Sequence, residues 1–196
     1  MQLGLDRLEM TVDDVSRRIT DAGATTTIRR TYAGPDGELT HRTVITSADG
    51  RAHFSERIVV PPGWTDLPRV GLRFEVPATL DRLEWFGLGP HETYPDRSGS
   101  GVLARWSSSV AEQYHPYVVP QEHGAHESTR WFALRGEDGR GLRIDAATPM
   151  SFSARRHHDA ALSAARTLAE LVEGDTIEVH VDAAHRGLGT GACGPD

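Results

Sequence analysis

The stretch "TTTIRRTYAGPDGELTHRTVITSADGRAHFSERIVV", residues 25–60, indicates the fold of the chain. Three runs rich in β-branched residues are separated by Pro35-Asp36-Gly37 and by the "SADGRA" segment around Asp49-Gly50. Proline presets a negative φ and glycine accepts a positive one, so both segments predict tight turns. Strands joined by such turns form an antiparallel meander, which is typical of an all-β sandwich.

Strand-like runs continue after this meander. "RVGLRFEV" (69–76) and "LDRLEWFGL" (80–88) are predicted to pair with each other around Pro77. "STRWFALRGEDGRGLRIDAA" (128–147) predicts a hairpin with its tip at Glu137-Asp138-Gly139. "DTIEVHVDAA" (175–184) alternates apolar and charged residues, so one face is predicted to be apolar and the other charged.

Two segments have helical character. "HDAALSAARTLAELVEG" (158–174) predicts the one real helix, with Asp159 as a candidate N-cap and Gly174 as a candidate stop. "LDRLEMTVDDV" (5–15) fits a helix or a strand equally well. Because no repeat or proline- and glycine-rich linker divides the chain, residues 1–196 are predicted to form a single β-sandwich domain.

Composition excludes several classes of protein. The formal net charge of −7 argues against nucleic acid or an anionic membrane surface as the main partner. The single cysteine, Cys193, excludes an intrachain disulfide. The chain has neither a signal peptide pattern nor an apolar run of membrane-spanning length, so we expect a cytoplasmic protein.

Two loops concentrate chemically active side chains. In "GLGPHETYPDR" (87–97), Pro90 and Pro95 prevent a regular helix from following the glycines. A phosphate site needs backbone N–H groups at such a helix start, so a phosphate cradle is disfavoured. "EQYHPYVVPQEHGAHESTRW" (112–131) contains three histidines but no HExxH pattern, and no metal site is predicted. The loop carboxylates are Glu92, Asp96, Glu122 and Glu127.

No catalytic set can be read from these residues. Glycoside hydrolysis needs two carboxylates about 5 to 9.5 Å apart, and the spacing of the loop carboxylates does not show that any two converge. Tyrosine, histidine and carboxylates mixed in one loop do suit a sugar, because rings stack on its C–H face while polar groups bond its hydroxyls.

Three segments resemble, in order, the last domain of the large β-galactosidases of glycoside hydrolase family 2. These are "LPRVGLRFEVPATLDRLEWFGLGPHETYPDR" (67–97), "YHPYVVPQEHGAHESTRW" (114–131) and "HVDAAHRGLG" (180–189). The resemblance implies a large antiparallel supersandwich like that of the galactose mutarotases. It also implies that this chain is a fragment of the last domain of a larger protein.

The resemblance assigns the catalytic glutamates to a separate TIM-barrel domain, so no residue of this chain is expected to be catalytic. The domain is expected to complete the galactoside pocket. The family commonly has a tryptophan after an H-x-G-x-G turn, and this chain reads His185-Arg186-Gly187-Leu188-Gly189 and then "TGACGPD". Cys193 and His185 are therefore the expected substrate-adjacent residues.

The expected partners are a galactoside, the remaining domains of the parent chain and, in the full enzyme, further copies of itself. No cofactor is predicted within the fragment, and the sequence does not show whether the parent enzyme binds a metal ion. Two other functions stay open. One is a free-standing carbohydrate-binding module, and the other is a mutarotase-like epimerase that pairs His115 or His123 with Glu122 as acid and base.

Overall fold

The computed structural model describes residues 4–65 and 67–188. The chain divides into two compact units, residues 1–66 and residues 67–196. The single domain predicted for residues 1–196 stays a prediction.

The first unit is a four-stranded antiparallel meander that follows a short 3-10 helix at Leu5–Arg7. Its strands lie next to one another in chain order. They are β1 (Glu9–Thr20), β2 (Gly23–Gly34), β3 (Gly37–Ala48) and β4 (Arg51–Val59). The predicted turns are confirmed, and Asp49 and Gly50 both have positive φ, as a two-residue hairpin turn of the I′ type requires.

Apolar side chains of the meander concentrate on one of its two faces, which we call its apolar face. Residues in register share a face, and the pairs Val15–Ile28 and Ile45–Phe54 lie on the same one. That face also contains a polar cluster in which Glu56 accepts a hydrogen bond from Thr43 (2.7 Å) and contacts His41 (2.7 Å). All of β1 is exposed to solvent.

The second unit is a six-stranded antiparallel sheet with the hydrogen-bonded order β5-β10-β9-β8-β6-β7. Its strands are β5 (Arg69–Pro77), β6 (Arg82–Gly89), β7 (Val102–Ser109), β8 (His126–Arg135), β9 (Gly141–Arg155) and β10 (Thr176–His185). The hairpin around residues 137–139 is confirmed as β8–β9. The pairing of the runs on either side of Pro77 is wrong, because β5 pairs with β10 while β6 lies between β7 and β8.

The hydrophobic core of the second unit lies on one face of this sheet. Phe132 and Phe152 stack with ring centroids 4.3 Å apart, and both are fully buried. Ile177 and Val179 of β10 are also fully buried, as the alternation of that strand predicts. This core anchors β9 and β10, the two strands that carry the candidate site on their opposite face.

The predicted helix is confirmed but short. It is α1 (Asp159–Ala164), and further 3-10 helices lie at Ala111–Gln113 and Leu168–Glu170. His158, not Asp159, occupies the N-cap position, and Gly174 does not end the helix. Gly174 instead packs against the His158 ring and donates its backbone N–H to Arg156 O.

The all-β antiparallel class predicted from the sequence, with one short α-helix, is confirmed. Across residues 4–65 and 67–188, helices of membrane-spanning length and apolarity do not occur.

Candidate functional site

A cleft at the end of β10 brings His185 next to charged residues from distant parts of the sequence. It has a volume of about 250 Å³. We call it the His185 cleft, and it is lined by Pro68, Arg69, Glu122, His185, Arg186, Gly187 and Leu188. Of the two predicted substrate-adjacent residues, His185 therefore lies at a cleft, whereas Cys193 lies outside the described residues.

Arg69, at the first position of β5, connects the charged groups of this cleft. Its guanidinium forms an ion pair with Glu122 and lies 2.7 Å from Nε2 of His185. Its Nε is 3.4 Å from Oδ2 of Asp182, and its Nη1 is 3.1 Å from Nδ1 of His180. One side chain thus ties the loop that carries Glu122 to β10.

Glu122 is the fixed negative charge of the cleft. Burial alone raises the pKa of its carboxyl, but the nearby His185 ring and the positive charges of Arg69 and Arg155 outweigh burial and lower the pKa to about 2. The carboxylate therefore stays ionised at neutral pH, where it accepts hydrogen bonds and cannot act as a general acid.

Asp182 contacts Arg69, and the pKa of its carboxyl is shifted in the opposite direction to that of Glu122. Burial raises the pKa of its carboxyl to about 6, against the lowering effect of Arg69, His180 and His185. Gly71 faces it in register on β5, and a Cβ at that position would overlap the Asp182 carboxylate. The glycine of "RVGLRFEV" is therefore required by the close approach of this carboxylate.

A buried ion-pair cluster continues along the same face of β9 and β10. Arg155 and Glu178 are both fully buried, and Nη2 of Arg155 lies 3.5 Å from Glu178 and 2.6 Å from Asp159. Arg73 donates to the other Glu178 oxygen at 2.6 Å. Nε2 of His180 lies 3.3 Å from Oε1 of Glu178, and its Nδ1 lies 3.1 Å from Nη1 of Arg69.

Asp159, Glu178 and His180 have the residue types of a metal site, and their ligand atoms lie within 4.8 Å of one another. The guanidinium of Arg155 already bonds both carboxylates of this group. The positive charge that these carboxylates need is therefore supplied by arginine, which the geometry favours over a metal ion.

The loop histidines serve the packing of the second unit. His126 is fully buried between Trp85 and Phe152, and its Nδ1 contacts the Leu88 carbonyl at 3.1 Å. His123 is buried with its Nδ1 at 3.2 Å from the Gln113 carbonyl. Burial lowers the pKa of each ring to about 4, so both are neutral at pH 7.

The acid and base pair of the mutarotase alternative does not form in this arrangement. Oε1 of Glu122 is 3.6 Å from Nε2 of His185, whereas the His123 ring packs on Tyr114 and His157. His115 packs against the ring of Tyr117. The histidine whose ring lies near the Glu122 carboxylate is therefore His185, which is more than sixty residues away in the sequence.

Two of the other loop carboxylates, Glu92 and Asp96, have structural partners. Glu92 is bonded by Arg97 and by the Tyr117 hydroxyl, and it accepts the Gly124 backbone N–H at 2.7 Å. Asp96 accepts from the Leu188 backbone N–H at 3.3 Å. Glu92 and Asp96 therefore join the 87–97 loop to segments that border the His185 cleft.

Sequence reasoning missed Arg69, Asp182 and Arg155 as members of this polar face. Arg69 and Asp182 looked like ordinary charges at a strand end and on an outer strand face. The available signal was the alternation of β10, in which Glu178, His180 and Asp182 share one face. Alternation alone does not show that loops bury that face.

Residues 5–196 match the model of the family described as the β-galactosidase small chain. The chain belongs to this family. The resemblance seen in the sequence is thereby confirmed.

Similar proteins give the same result. A β-galactosidase of Arthrobacter sp. (strain B7) is 35% identical over 208 residues, which cover 100% of this chain and 20% of the relative. A β-galactosidase of Vibrio cholerae is 33% identical over 141 residues, or 72% of this chain and 13% of the relative. The chain thus spans a fifth or less of these two relatives.

Proposed function

We propose that this domain supplies one wall of the galactoside pocket of a β-galactosidase and contributes no catalytic group. The His185 cleft carries this proposal. Its Arg69, Glu122 and His185 combine hydrogen-bond donors with a permanently ionised acceptor, a set that suits sugar hydroxyls. The cleft volume of about 250 Å³ is below the roughly 300 to 1,000 Å³ of a complete small-molecule pocket.

The chemistry of the cleft also supports a binding role over a catalytic one. A retaining glycosidase needs a protonated carboxylic acid beside a carboxylate nucleophile. Glu122 is held ionised by Arg69 and His185, so it cannot donate a proton near neutral pH. The purified chain should therefore not hydrolyse a chromogenic β-galactoside. Turnover that copurifies with it and disappears in Glu122→Gln would contradict this proposal.

The parent enzyme allows a direct test of the cleft. We expect His185→Ala in the full-length enzyme to raise KM for a β-galactoside about tenfold, because a hydrogen-bonding group at the pocket is lost. The matched control is His53→Ala, on an exposed strand of the first unit. Equal KM values for the two variants would contradict the placement of His185 at the pocket.

Cys193 is proposed to lie at the same pocket in the full-length enzyme. A thiol reagent should then inactivate the enzyme, and galactose should protect it. Cys193→Trp should strengthen galactoside binding by about 0.5–1.5 kcal/mol if the ring stacks on the sugar. Labelling of Cys193 without loss of activity would count against this position.

We also propose that the parent enzyme is a cytoplasmic homo-oligomer and that this domain takes part in its assembly. The support for this is the family to which the chain belongs. Analytical ultracentrifugation of the full-length enzyme would test it.

A further inference from the structure

The motif "GLGPHETYPDR" ends in a tight turn of four residues, Tyr94-Pro95-Asp96-Arg97, which we call the YPDR turn. The Arg97 backbone N–H donates to the Tyr94 carbonyl at 2.8 Å, and the Tyr94 N–H donates to the Arg97 carbonyl at 3.3 Å. Pro95 occupies the first central position, where its ring presets the φ that such a turn needs. The turn therefore has little conformational freedom.

The YPDR turn is anchored in the interior of the second unit. Tyr94 and the preceding Thr93 are both fully buried. The Thr93 backbone N–H donates to the Ala125 carbonyl at 2.7 Å, and the Thr93 hydroxyl accepts the Glu127 backbone N–H at 2.9 Å. The place of the exposed Asp96 is therefore set by the packing of its neighbours in the chain.

Two side chains of the YPDR turn contact the segment that contains His185. The Tyr94 ring packs on the His185 ring, with centroids 5.6 Å apart. Oδ1 of Asp96 accepts the Leu188 backbone N–H at 3.3 Å. The Asp96 carboxylate also lies against the backbone of Gly187, where a Cβ would overlap it. Gly187 has a φ of +107°, so both its conformation and this close approach require glycine.

The Gly187 backbone connects this contact to the imidazole of His185. Its N–H donates to Nδ1 of His185 at 3.2 Å. The other ring nitrogen, Nε2, lies 2.7 Å from the Arg69 guanidinium and 3.6 Å from Oε1 of Glu122. The orientation of the ring in the cleft therefore depends on where the Gly187 backbone lies.

We propose that Asp96 is a positioning residue, which holds the backbone of Gly187 and Leu188 in the place where it orients the His185 ring at the cleft. Asp96 is not among the residues that line the cleft, so it acts through His185 and not on a ligand. Where it concerns galactosides, this inference rests on the proposed function, because it names the residue that prepares one wall of that pocket.

Modification of histidines by diethyl pyrocarbonate in the full-length parent enzyme tests the positioning without hydrolysis. Mass spectrometry of each peptide gives the rate at each site. The His185 side chain is 6% exposed and His126 is fully buried. We expect Asp96→Ala to speed the modification of His185 at least about fivefold, because the 185–188 segment can then open locally, and to leave His126 unchanged.

Two variants control this measurement. Asp96→Asn keeps an acceptor oxygen of similar placement, and the His185 rate should stay within about twofold of that in the unsubstituted enzyme. Asp138→Ala is the matched control, because Asp138 accepts the Arg140 backbone N–H at 2.9 Å but does not line the cleft. It should leave both histidines unchanged. An unchanged His185 rate in Asp96→Ala would overturn the proposal, and so would faster modification of His126 as well, because the loosening would then be general.

The KM for a β-galactoside reports the consequence for the cleft. Asp96→Ala in the full-length enzyme should raise KM about fivefold and leave kcat within about twofold, because a hydrogen bond that orients a binding group is lost. In an enzyme that already carries His185→Ala, the same substitution should change KM less than about twofold, since the group that it positions is absent. An undiminished effect of Asp96→Ala in that background would overturn the proposal.

The two measurements separate this inference from the proposed function. Faster modification of His185 in Asp96→Ala, with KM unchanged in both Asp96→Ala and His185→Ala, would refute the place of His185 at the galactoside pocket and leave the positioning contact standing. A raised KM in His185→Ala, with neither KM nor the His185 rate changed in Asp96→Ala, would refute the positioning and leave the proposed function standing.

Discussion

The two sheets of this chain follow the same antiparallel plan and differ in which faces they bury. In the meander, Val15 and Ile19 of β1 are 60% and 70% exposed although they lie on its apolar face. In the six-stranded sheet, Ile177 and Val179 are fully buried, and so is Glu178 between them. The second unit therefore covers both faces of β10, whereas the first unit covers neither face of β1.

This contrast shows that amphipathic alternation identifies the two faces of a strand but not what covers them. The meander has long strands joined by two-residue turns, with no loop long enough to fold back over either face. The six-stranded sheet has connections of residues 90–101, 110–125 and 156–175. Asp159 of the last connection bonds Arg155 of β9, and Glu122 of the second bonds Arg69 of β5.

The largest expected difference between the sheets concerns aromatic residues. Phe132→Ala should lower the free energy of unfolding by about 3–5 kcal/mol, because it removes a fully buried ring that stacks on Phe152. Phe54→Ala on β4, where the ring is 52% exposed, should change it by no more than about 0.5 kcal/mol. Urea unfolding measures both, and equal effects would mean that the apolar face of the meander is packed.

Buried charges should give the next largest effect. Glu178→Gln removes the carboxylate that faces Arg155 and Arg73, and we expect a loss of about 3 kcal/mol because the Arg155 guanidinium stays buried. Glu84→Gln, at the exposed pair with Arg105, should cost less than about 1 kcal/mol. A loss below 1 kcal/mol in Glu178→Gln would show that the remaining carboxylate of Asp159 is enough to balance the Arg155 charge.

The pH dependence of stability should separate a buried histidine from an exposed one. The pKa of His126 is about 4 in the folded chain and near 6.5 when unfolded, so its contribution is complete above pH 6.5 and is lost as pH falls towards 4. Between pH 7 and 4.5 this loss amounts to about 2 kcal/mol. The loss of stability that comes from protonation of Glu122, whose folded pKa is about 2, occurs at lower pH.

His126→Gln should remove that part of the pH dependence, and His53→Gln, at an exposed position of β4, should retain it. Chemical denaturation at several pH values measures the slopes. If His126→Gln kept the slope of the unsubstituted chain, protonation of His126 would not contribute to acid destabilisation.

The smallest effects are expected at exposed arginines. Arg143→Gln should cost about 0.5–1 kcal/mol, because Arg143 pairs with Asp145 and its guanidinium lies 4.2 Å from the centre of the Trp131 ring. Arg7→Gln in the first unit removes only an exposed pair with Asp36 and should cost at most about 0.5 kcal/mol. Thermal unfolding of the two variants checks this order, and a reversed order would contradict the stacking contribution.

The sequence predicted local structure well where the signal was local. Pro35-Asp36-Gly37 and the Asp49-Gly50 segment mark the meander turns, and Glu137-Asp138-Gly139 marks the β8–β9 tip. The pairing of β5 with β6 was wrong because their short connection at Pro77 suggested a hairpin. Pairing of β5 with β10 joins residues about a hundred positions apart, and no short segment contains that information.

The residues of the candidate site also differ in how far the sequence alone predicts them. The motif around His185 predicts that residue as substrate-adjacent, which stays a prediction, and the structure places it at a cleft. Its association with Arg69 and Glu122 depends on the β5–β10 pairing and on the course of the 114–125 segment. The role of Glu122 as a fixed anion also follows from those contacts, since its pKa reflects nearby charges.

By itself, the sequence determined that the chain is all-β, that its strands meet at tight turns and that it belongs among the β-galactosidase small chains. These properties depend on residue alternation, turn chemistry and motifs, which are all local. Only the tertiary structure decided that the polar face of β10 is buried and that His185, Arg69 and Glu122 meet. Burial and electrostatic pairing depend on distances in space, and distant segments set those distances only when the chain folds.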